Sequence, residues 1–259
     1  MQLDYKGISV HYQLEGKGTT VVLLHGFLEN LSMWKDIKEN LIARYRVLAI
    51  DLLGHGKTPC LGYVHSMKDQ ANLLEAILKK HRIRKPILIG HSMGGYVALA
   101  YVEKYPDNIK GLCLMNSTSL ADDDERKELR AKANKMVQTN FKSMVTISFT
   151  NLFGSESKTI FKNEIELALQ EALKTPVQGY IACMEGMRIR PNRINVLKIL
   201  QCPKLLIVGK KDPVLNFENS LQEAKNTKSE IVVFPDGHMS HIENKKTLTV
   251  ALQQFVKSC

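Results

Sequence analysis

A serine between two glycines is the residue of this chain best suited to act as a nucleophile. Ser92 lies in the pentapeptide Gly90-His91-Ser92-Met93-Gly94, directly after the apolar run 86–89 and before a helical pattern. A serine on a strand-to-helix turn sits on a sharp bend that exposes its hydroxyl. The glycines permit the bend, because a Cβ at either position would collide with a neighbouring element. The pattern therefore predicts a nucleophile, although a Gly-Ser turn can also serve as a plain helix cap.

A serine nucleophile needs a base and an acid, and two polar residues that follow predicted strands supply those chemical types. His238 follows the last predicted strand in a Gly-His loop. A histidine titrates near neutral pH, so it can take the serine proton and return it to the leaving group. Asp212 follows the preceding strand, where it would hold the imidazole tautomer and stabilise the imidazolium. We expect Ser92, Asp212 and His238 to form a catalytic triad.

Other polar residues near the strand ends have structural interpretations. The strand after the nucleophile helix ends at Asn116 and offers no carboxylate, so Asp212 is favoured as the acid. Asp236 is expected to shape the turn before the base. His241 is expected to start the last helix or to support the site from behind. His91 is expected to point away from the nucleophile and to pack internally.

Acyl transfer also needs two N–H donors for the oxyanion. The backbone N–H of Met93 lies at the start of the helix after the nucleophile and is the first predicted donor. Phe27 follows His25-Gly26 at the end of a predicted strand, and its backbone N–H is the second. The Phe27 ring is expected to line the pocket, and His25 to hydrogen-bond within this loop.

These residues require strands that end beside one another. An alternating pattern predicts a strand at 8–14, and short apolar runs predict strands at 21–24, 47–50, 87–89, 109–115, 204–208 and 230–234. Helical spacing predicts helices at 32–45, 66–81, 96–105 and 241–256. Such strand–helix alternation predicts a parallel sheet with helices on both faces, that is, an α/β fold.

Between the predicted strands at 109–115 and 204–208 the pattern changes, because residues 120–190 are helical in character and contain no strand signal. We expect residues 1–119 and 191–259 to form the core and 120–190 to form a helical cap. Met184 and Met187 are candidate substrate contacts together with Phe27, although packing of the cap onto the core would also explain them. The arginines at 188, 190 and 193 could bind a substrate carboxylate or simply be solvated.

Composition excludes several other classes of protein. The net charge of +10 is dispersed without a long basic run, so nucleic-acid binding is not expected. No apolar run approaches the roughly 20 residues that span a bilayer. The five cysteines are scattered singly, which indicates reduced thiols in a cytoplasmic protein. No helical H-x-x-x-H spacing or complete phosphate-binding loop occurs, so no metal or cofactor site is predicted.

Taken together, the motifs resemble the α/β-hydrolase fold superfamily in their order and spacing, over the whole chain outside 120–190. The resemblance implies a mostly parallel eight-stranded sheet, a helical cap inserted after the sixth strand, and catalysis without a cofactor. The dehalogenase and epoxide hydrolase branches use aspartate at the nucleophile position, so the serine found here excludes them. The matching motifs are His25-Gly26-Phe27, Asp51-Leu52-Leu53-Gly54-His55-Gly56, Gly90-His91-Ser92-Met93-Gly94-Gly95, Gly209-Lys210-Lys211-Asp212 and Gly237-His238.

The superfamily contains several activities, and fold alone does not choose among them. We expect a serine hydrolase, specifically a carboxylesterase that cleaves small carboxylic esters through an acyl-enzyme intermediate. One alternative is a lyase that resembles the 2-succinyl-6-hydroxy-2,4-cyclohexadiene-1-carboxylate synthase of menaquinone biosynthesis. Another is a signal receptor that keeps the triad and turns over slowly. The expected partner is a small-molecule ester.

Overall fold

The computed structural model describes residues 1–259 and has a mostly parallel sheet of eight strands at its centre. The sheet order is β1-β2-β4-β3-β5-β6-β7-β8, in which β2 pairs antiparallel with β1 and β4, and all other pairs are parallel. This architecture confirms the predicted fold class. The strands are β1 (Gln2–Tyr5), β2 (Ile8–Glu15), β3 (Thr20–Leu24), β4 (Arg46–Ile50), β5 (Ile87–His91), β6 (Gly111–Met115), β7 (Lys204–Gly209) and β8 (Glu230–Phe234).

Alternate residues of the central strands build two separate cores. Val22 and Leu24 of β3 contribute to the larger core, whereas Val21 and Leu23 contribute to the smaller core on the opposite face. Successive strand side chains point to opposite faces of a sheet, so a strand covered on both sides needs apolar residues at every position. This requirement explains why continuous apolar runs, rather than alternating ones, mark these strands.

Helices cover both faces of the sheet, and no helix in the structure has the length and apolar character needed to cross a membrane. The α-helices are α1 (Lys35–Leu41), α2 (Met67–Lys80), α3 (Met93–Lys104), α4 (Asp124–Met136), α5 (Phe141–Thr150), α6 (Ser155–Ile160), α7 (Lys162–Ala172), α8 (Val177–Arg188), α9 (Ile194–Ile199), α10 (Phe217–Thr227), α11 (Ser240–Glu243) and α12 (Lys245–Ser258).

Two predicted helices differ from those observed. The pattern over 32–45 forms a 3₁₀ turn at Leu31–Trp34 followed by the short helix α1, which ends at Leu41. The pattern over 241–256 is divided into α11 and α12 at Asn244, whose φ of −134° and ψ of 32° are not helical. Apolar spacing indicated the buried face in both cases but could not indicate the breaks.

The helices α4–α8 lie between β6 and β7 in the chain, where the helical insertion is predicted. α4 packs on α8, and α5 packs on α7. No residue of α4 is buried, although this helix lines a cavity beside the sheet. The buried residues of these helices, such as Phe149 and Tyr180, belong to the same hydrophobic core as Val22 and Leu24 of β3.

Candidate active site

The turn between β5 and α3 holds Ser92 in a strained backbone conformation. Its φ of 48° and ψ of −114° lie in a region that residues with a side chain rarely adopt. Such a conformation persists only where the surrounding structure holds it in place. Here the Ser92 N–H donates to the Met115 carbonyl at 2.9 Å, and the Ser92 carbonyl accepts from Gly95 N–H at 3.0 Å. The strain therefore belongs to the turn that presents the hydroxyl.

The glycines of this turn are required by close packing. A Cβ on Gly94 would run into the carbonyl group of Leu24 at the end of β3. A Cβ on Gly90 would run into the backbone of Gly94. Strands β3 and β5 and helix α3 thus meet with backbone against backbone, which agrees with the steric argument made from the sequence.

The structure brings Ser92, His238 and Asp212 together in one hydrogen-bonded chain. His238 Nε2 lies 2.9 Å from Ser92 Oγ, and His238 Nδ1 lies 2.8 Å from Asp212 Oδ2. An ionised carboxylate only accepts, so His238 Nδ1 carries the proton and Nε2 is left to accept the serine hydroxyl. Only 2% of each of the His238 and Asp212 side chains is exposed. This is the geometry of a nucleophile, a general base and an orienting acid.

Asp212 is held by several donors besides His238. Its Oδ1 accepts from the backbone N–H groups of Val214 at 2.8 Å and Leu215 at 3.0 Å. Burial opposes its ionisation, but attraction to His238 and these hydrogen bonds hold the pKa of Asp212 below its ordinary value. Asp212 is thus kept in the charged form that stabilises an imidazolium.

Asn116 is a supporting residue whose role the sequence did not reveal. Its Nδ2 donates to Asp212 Oδ2 and to the Gly237 carbonyl, both at 3.2 Å, and its Oδ1 accepts from Ser240 Oγ at 2.6 Å. Asn116 therefore connects the loop that carries Asp212 (the acid loop) to the loop that carries His238. The available signal was its position directly after β6, at the same sheet edge as the triad.

Both backbone groups of His238 are also bonded. Its N–H donates to the Leu152 carbonyl at 3.1 Å, in the segment that follows α5. Its carbonyl accepts from His91 Nε2 at 3.0 Å, and His91 Nδ1 lies 2.7 Å from Glu29 Oε2. His91 thus turns away from Ser92, as expected, and contacts the backbone of His238.

Glu29 and His91 form a buried ion pair. Burial opposes ionisation of Glu29, but attraction and a hydrogen bond from His91 bring its pKa to about 2. Burial likewise disfavours charge on His91, yet attraction to Glu29 leaves the pKa of His91 above its ordinary value. Gly26 N–H donates to the same carboxylate oxygen at 2.7 Å. The charges therefore sit beneath the triad, compensated by each other and by a backbone donor.

His241 joins this pair, with Nε2 at 3.4 Å from Glu29 Oε1, in the supporting position expected of it. Burial lowers the pKa of His241 to about 4. The ligand-type atoms of Glu29, His91 and His241 lie within 4.8 Å of one another, as in metal sites. The 2.7 Å contact between His91 and Glu29 is, however, a hydrogen-bond length. Two tetrahedral zinc ligands at 2.0–2.1 Å would lie about 3.3 Å apart.

The loop after β3 leaves one of its N–H groups free. Gly26 N–H donates to Glu29, and Leu28 N–H donates to His55 Nε2 at 3.1 Å, whereas Phe27 N–H has no acceptor in the protein. Met93 N–H at the start of α3 is also without an acceptor. Burial and the neighbouring His25 lower the pKa of His55 to about 3, which keeps it neutral and able to accept. The two predicted oxyanion donors are thus available to a ligand.

His25 hydrogen-bonds within this loop, as predicted from its position in the sequence. Its Nδ1 lies 2.7 Å from the Gly26 carbonyl oxygen, and its Nε2 accepts from Leu52 N–H at 3.0 Å. Burial lowers the pKa of His25, so that the ring stays neutral and both contacts are retained. The ring thereby ties the loop that carries Phe27 to the loop that follows β4.

A cavity of about 420 Å³ lies beside Ser92 and His238. The three candidate substrate contacts, Phe27, Met184 and Met187, all line it. The Phe27 ring packs edge to face on Tyr180, with centroids 4.9 Å apart. The loop after β3 and helix α8 therefore contact each other at the cavity wall.

The cap arginines singled out from the sequence do not line this cavity. Arg188 pairs with Glu185 on the same helix, and Arg193 pairs with Glu103 of α3 at 2.9 Å. Arg190 pairs with Asp122 at 2.8 Å and stacks over the Tyr96 ring. All three form ion pairs within the protein. They are therefore neither freely solvated nor placed to contact a substrate at Ser92. Arg126 and Arg130 of α4 line the cavity instead, although neither is among the candidates predicted from the sequence.

Known proteins resemble the chain over nearly its whole length. A thermophilic esterase from Thermogutta terrifontis has 30% identity and a TM-score of 0.91, covering 96% of this chain and 93% of its own. A Bacillus subtilis protein with the provisional name 2-succinyl-6-hydroxy-2,4-cyclohexadiene-1-carboxylate synthase is 27% identical over 250 residues, covering 92% of this chain and 90% of its own length.

Other curated relatives are longer than this chain. The dihydrolipoyllysine-residue acetyltransferase component of the acetoin cleaving system from Pseudomonas putida is 27% identical over 251 residues. The match covers 95% of this chain but only 66% of that protein. Three uncharacterized mycobacterial proteins match 43% of this chain and 33% of their own length.

A family model described as alpha/beta hydrolase fold matches residues 19–245, which include Ser92, Asp212 and His238. The match agrees with the strand order, the turn after β5 and the loops at the carboxyl edge of the sheet. The chain belongs to the α/β-hydrolase fold family.

Proposed function

We propose that this protein is a serine carboxylesterase that cleaves small carboxylic esters through an acyl-enzyme intermediate. The observation that carries the proposal is the unbroken chain of hydrogen bonds from Ser92 Oγ through His238 to Asp212, with separations of 2.9 and 2.8 Å. Similarity to an esterase at 30% identity supports the same class of reaction. In this proposal Ser92 is the nucleophile, His238 the general base and acid, and Asp212 the orienting carboxylate.

The reaction begins when Ser92 Oγ attacks the ester carbonyl and His238 Nε2 takes the hydroxyl proton. The carbonyl oxygen becomes an oxyanion, for which the free N–H groups of Phe27 and Met93 are the donors. The imidazolium then returns the proton to the leaving alcohol as the carbon–oxygen bond breaks. Water, deprotonated by His238, attacks the acyl-enzyme and releases the acid and Ser92.

We propose that residues 120–190 act as the cap that closes the substrate cavity, with 1–119 and 191–259 as the catalytic core. Helices α4 and α8 both contribute to the cavity wall, and Met184 and Met187 lie on α8. Phe27 contributes from the core side, so a substrate would contact both parts. The His238 N–H bond to the Leu152 carbonyl joins the two parts next to the base.

The test is hydrolysis of 4-nitrophenyl acetate and butyrate by the full chain, with Ser92→Ala and, as the matched control, Ser32→Ala. Ser32 is an exposed serine outside the Ser92 cavity. Loss of a triad nucleophile lowers kcat by about 10⁴-fold or more, whereas the control is expected to match the wild type. A fluorophosphonate should label the wild type and fail to label Ser92→Ala. Wild-type turnover by Ser92→Ala would contradict the proposal.

A lyase is a second candidate, favoured by the similarity to the Bacillus subtilis protein over 250 residues. Release of pyruvate from the pathway intermediate by the wild type, with no hydrolysis of simple esters, would replace the esterase assignment. The receptor alternative makes a different prediction, namely one labelling event without repeated turnover. Multiple turnovers of a simple ester would exclude that alternative.

A further inference from the structure

The Ser92 cavity has an unbalanced charge. Two arginines of α4, Arg126 and Arg130, line it, and no aspartate, glutamate or lysine does. The two arginines are four residues apart, so they lie on the same face of the helix one turn from each other. The rest of the wall is mostly apolar, with Leu129 and Ala133 from the same helix.

Arg130 has donors without strong acceptors. Its Nε donates to Asp122 Oδ2 at 2.6 Å, which fixes the side chain. Its Nη1 faces the sulfur atoms of Met184 at 3.2 Å and Met187 at 3.7 Å, and its Nη2 has no acceptor in the protein. A thioether is only a weak acceptor, so much of the hydrogen-bonding capacity of this guanidinium is unused.

The Arg126 guanidinium also has hydrogen-bond donors without acceptors. Its Nη2 donates to the Val214 carbonyl at 3.2 Å, and this is the one hydrogen bond its guanidinium makes. No carboxylate lies within ion-pair distance of it. Val214 also lines the cavity and lies two residues after Asp212, so the Arg126 guanidinium contacts the backbone next to that acid.

The nearest buried carboxylate does not balance these charges. Asp122 is shared between Arg130 Nε at 2.6 Å and Arg190 Nη1 at 2.8 Å, so one negative charge serves two positive ones. Arg126 adds a further positive charge. A guanidinium group binds a carboxylate through two parallel N–H···O bonds, because its donors are arranged in a planar fork. The free donors of Arg126 and Arg130 therefore suit a carboxylate ligand.

We propose that Arg126 and Arg130 bind a free carboxylate on the substrate, so that the preferred substrates are esters of acids that carry a second carboxylate beyond an apolar chain. The inference rests on the proposed esterase function and adds a substrate class to it. The carboxylate lies against α4, the apolar chain lies along the wall that includes Leu129 and Ala133, and the ester carbonyl lies at Ser92.

The first experiment compares kcat/KM for 4-nitrophenyl hydrogen adipate with that for 4-nitrophenyl hexanoate, which has the same chain length without the charge. Hydrogen bonds to a charged group are worth about 1.5–3 kcal/mol. We therefore expect the wild type to prefer the acidic ester by roughly tenfold to hundredfold. Equal rates, or a preference for the neutral ester, would overturn the inference.

The variants Arg126→Gln and Arg130→Gln are expected to bring that preference close to one. Lys135→Gln is the matched control, because Lys135 is exposed on the same helix and does not line the cavity. It makes the same change of charge and should keep the wild-type preference. A merely structural role would lower the rates for both esters together and leave their ratio unchanged, which would contradict the inference. Arg126→Gln is the cleaner variant because no ion pair is lost.

A binding experiment separates this inference from the esterase proposal. Calorimetric titration of Ser92→Ala with adipate should show binding, and titration with the uncharged adipamide should not. Adding Arg126→Gln and Arg130→Gln should weaken adipate binding at least tenfold. Such binding without ester hydrolysis by the wild type would refute the esterase and retain the carboxylate site. Ester hydrolysis without adipate binding would retain the esterase and refute the carboxylate site.

Discussion

The loops at the carboxyl edge of the sheet and the helices α4–α8 are organised in opposite ways. In the loops, polar side chains are buried and bonded, as His25, Asn116 and His238 show with exposures of 1% or less. The helices bury apolar side chains such as Phe149 and Tyr180 but leave others exposed, as Ile160 and Leu167 show with exposures of 70% and 71%. In the loops, polar groups hydrogen-bond to one another. In the helices, some apolar and charged groups face solvent or the cavity instead.

This difference separates the parts of the molecule that would set the chemistry from those that would set the choice of substrate. Leaving a buried polar group without its partner costs about 1–3 kcal/mol of stability. A change at one loop residue therefore disturbs the residues bonded to it. Residues of α4 have few such obligations, because none is buried. Variation there can alter the cavity wall while the Ser92 turn stays in place.

The largest effect is expected within the loops, from Asp212→Asn. The amide cannot hold the Nδ1–H tautomer of His238 or stabilise the imidazolium, so kcat for ester hydrolysis should fall by about 10³–10⁴-fold. Asp236→Asn is the matched control, since this acid lies two residues before His238 and its side chain has no hydrogen-bond partner in the fold. Circular dichroism should show folded protein in both cases. A similar loss in both variants would break the assignment of Asp212.

A smaller effect, on stability, is expected from Glu29→Gln. The change removes the negative partner of His91 in a buried ion pair, where only 5% of the Glu29 side chain is exposed. Breaking a buried pair typically costs about 3 kcal/mol or more, which urea unfolding at pH 6 would measure. Glu39→Gln, an exposed site, is the control and should change the free energy of unfolding by less than about 0.5 kcal/mol.

The same pair predicts how stability depends on pH. The pKa of Glu29 is about 2 in the folded protein against an ordinary value of 4.5, so its contribution is full above pH 4.5 and is lost as the pH falls toward 2. The pKa of His91 is raised above 6.5, so its contribution is full below pH 6.5 and is lost as the pH rises through the raised value. The difference in free energy of unfolding between the wild type and Glu29→Gln should therefore be largest between about pH 4.5 and 6.5. A difference that does not vary with pH would contradict the ion pair.

A modest effect is expected in the cavity wall, from Met184→Leu. Leucine conserves the apolar volume but removes the sulfur that faces Arg130 at 3.2 Å. We expect KM to change by less than about tenfold, with kcat nearly unchanged, because the triad is not contacted. Steady-state kinetics with 4-nitrophenyl butyrate would measure this. A loss of kcat comparable to that of Asp212→Asn would remove the proposed separation between the two regions.

The smallest effect is expected from Glu156→Gln, at an exposed contact between the two regions. Glu156 of α6 pairs with Lys211 beside the acid loop at 2.7 Å, and both side chains are more than half exposed. Exposed pairs are screened by solvent and contribute little, so Tm should shift by less than about 2 °C. Kinetics should match those of the wild type. A marked loss of activity would show that this surface contact positions Asp212.

The sequence was sufficient for residues whose positions depend on local geometry. The sharp turn at Ser92 was predictable because a strand, a tight turn and a helix follow one another within a few residues. The proximity of Asp212 and His238 was predictable because parallel strands bring their carboxyl ends to one edge, so polar residues that follow neighbouring strands lie close together. The helical nature of 120–190 followed from the absence of any strand pattern.

Other features were decided by contacts between distant parts of the chain. Glu29 is 62 residues from His91, and Asn116 is 96 residues from Asp212, yet each pair is hydrogen-bonded. The arginines of the cap show the same limit. Those near 190 were plausible by position but do not line the cavity, whereas Arg126 and Arg130 do.

What the sequence alone determined is the strand-and-turn framework with the fold family, because backbone sterics and the alternation of strand side chains act over a few residues. What only the tertiary structure decided is which polar groups are already partnered. The N–H groups of Gly26 and Leu28 are taken while that of Phe27 is free, and Arg190 is paired while Arg126 is not. The physical reason is that a hydrogen bond or ion pair depends on the distance between side chains that packing brings together, which local spacing does not specify.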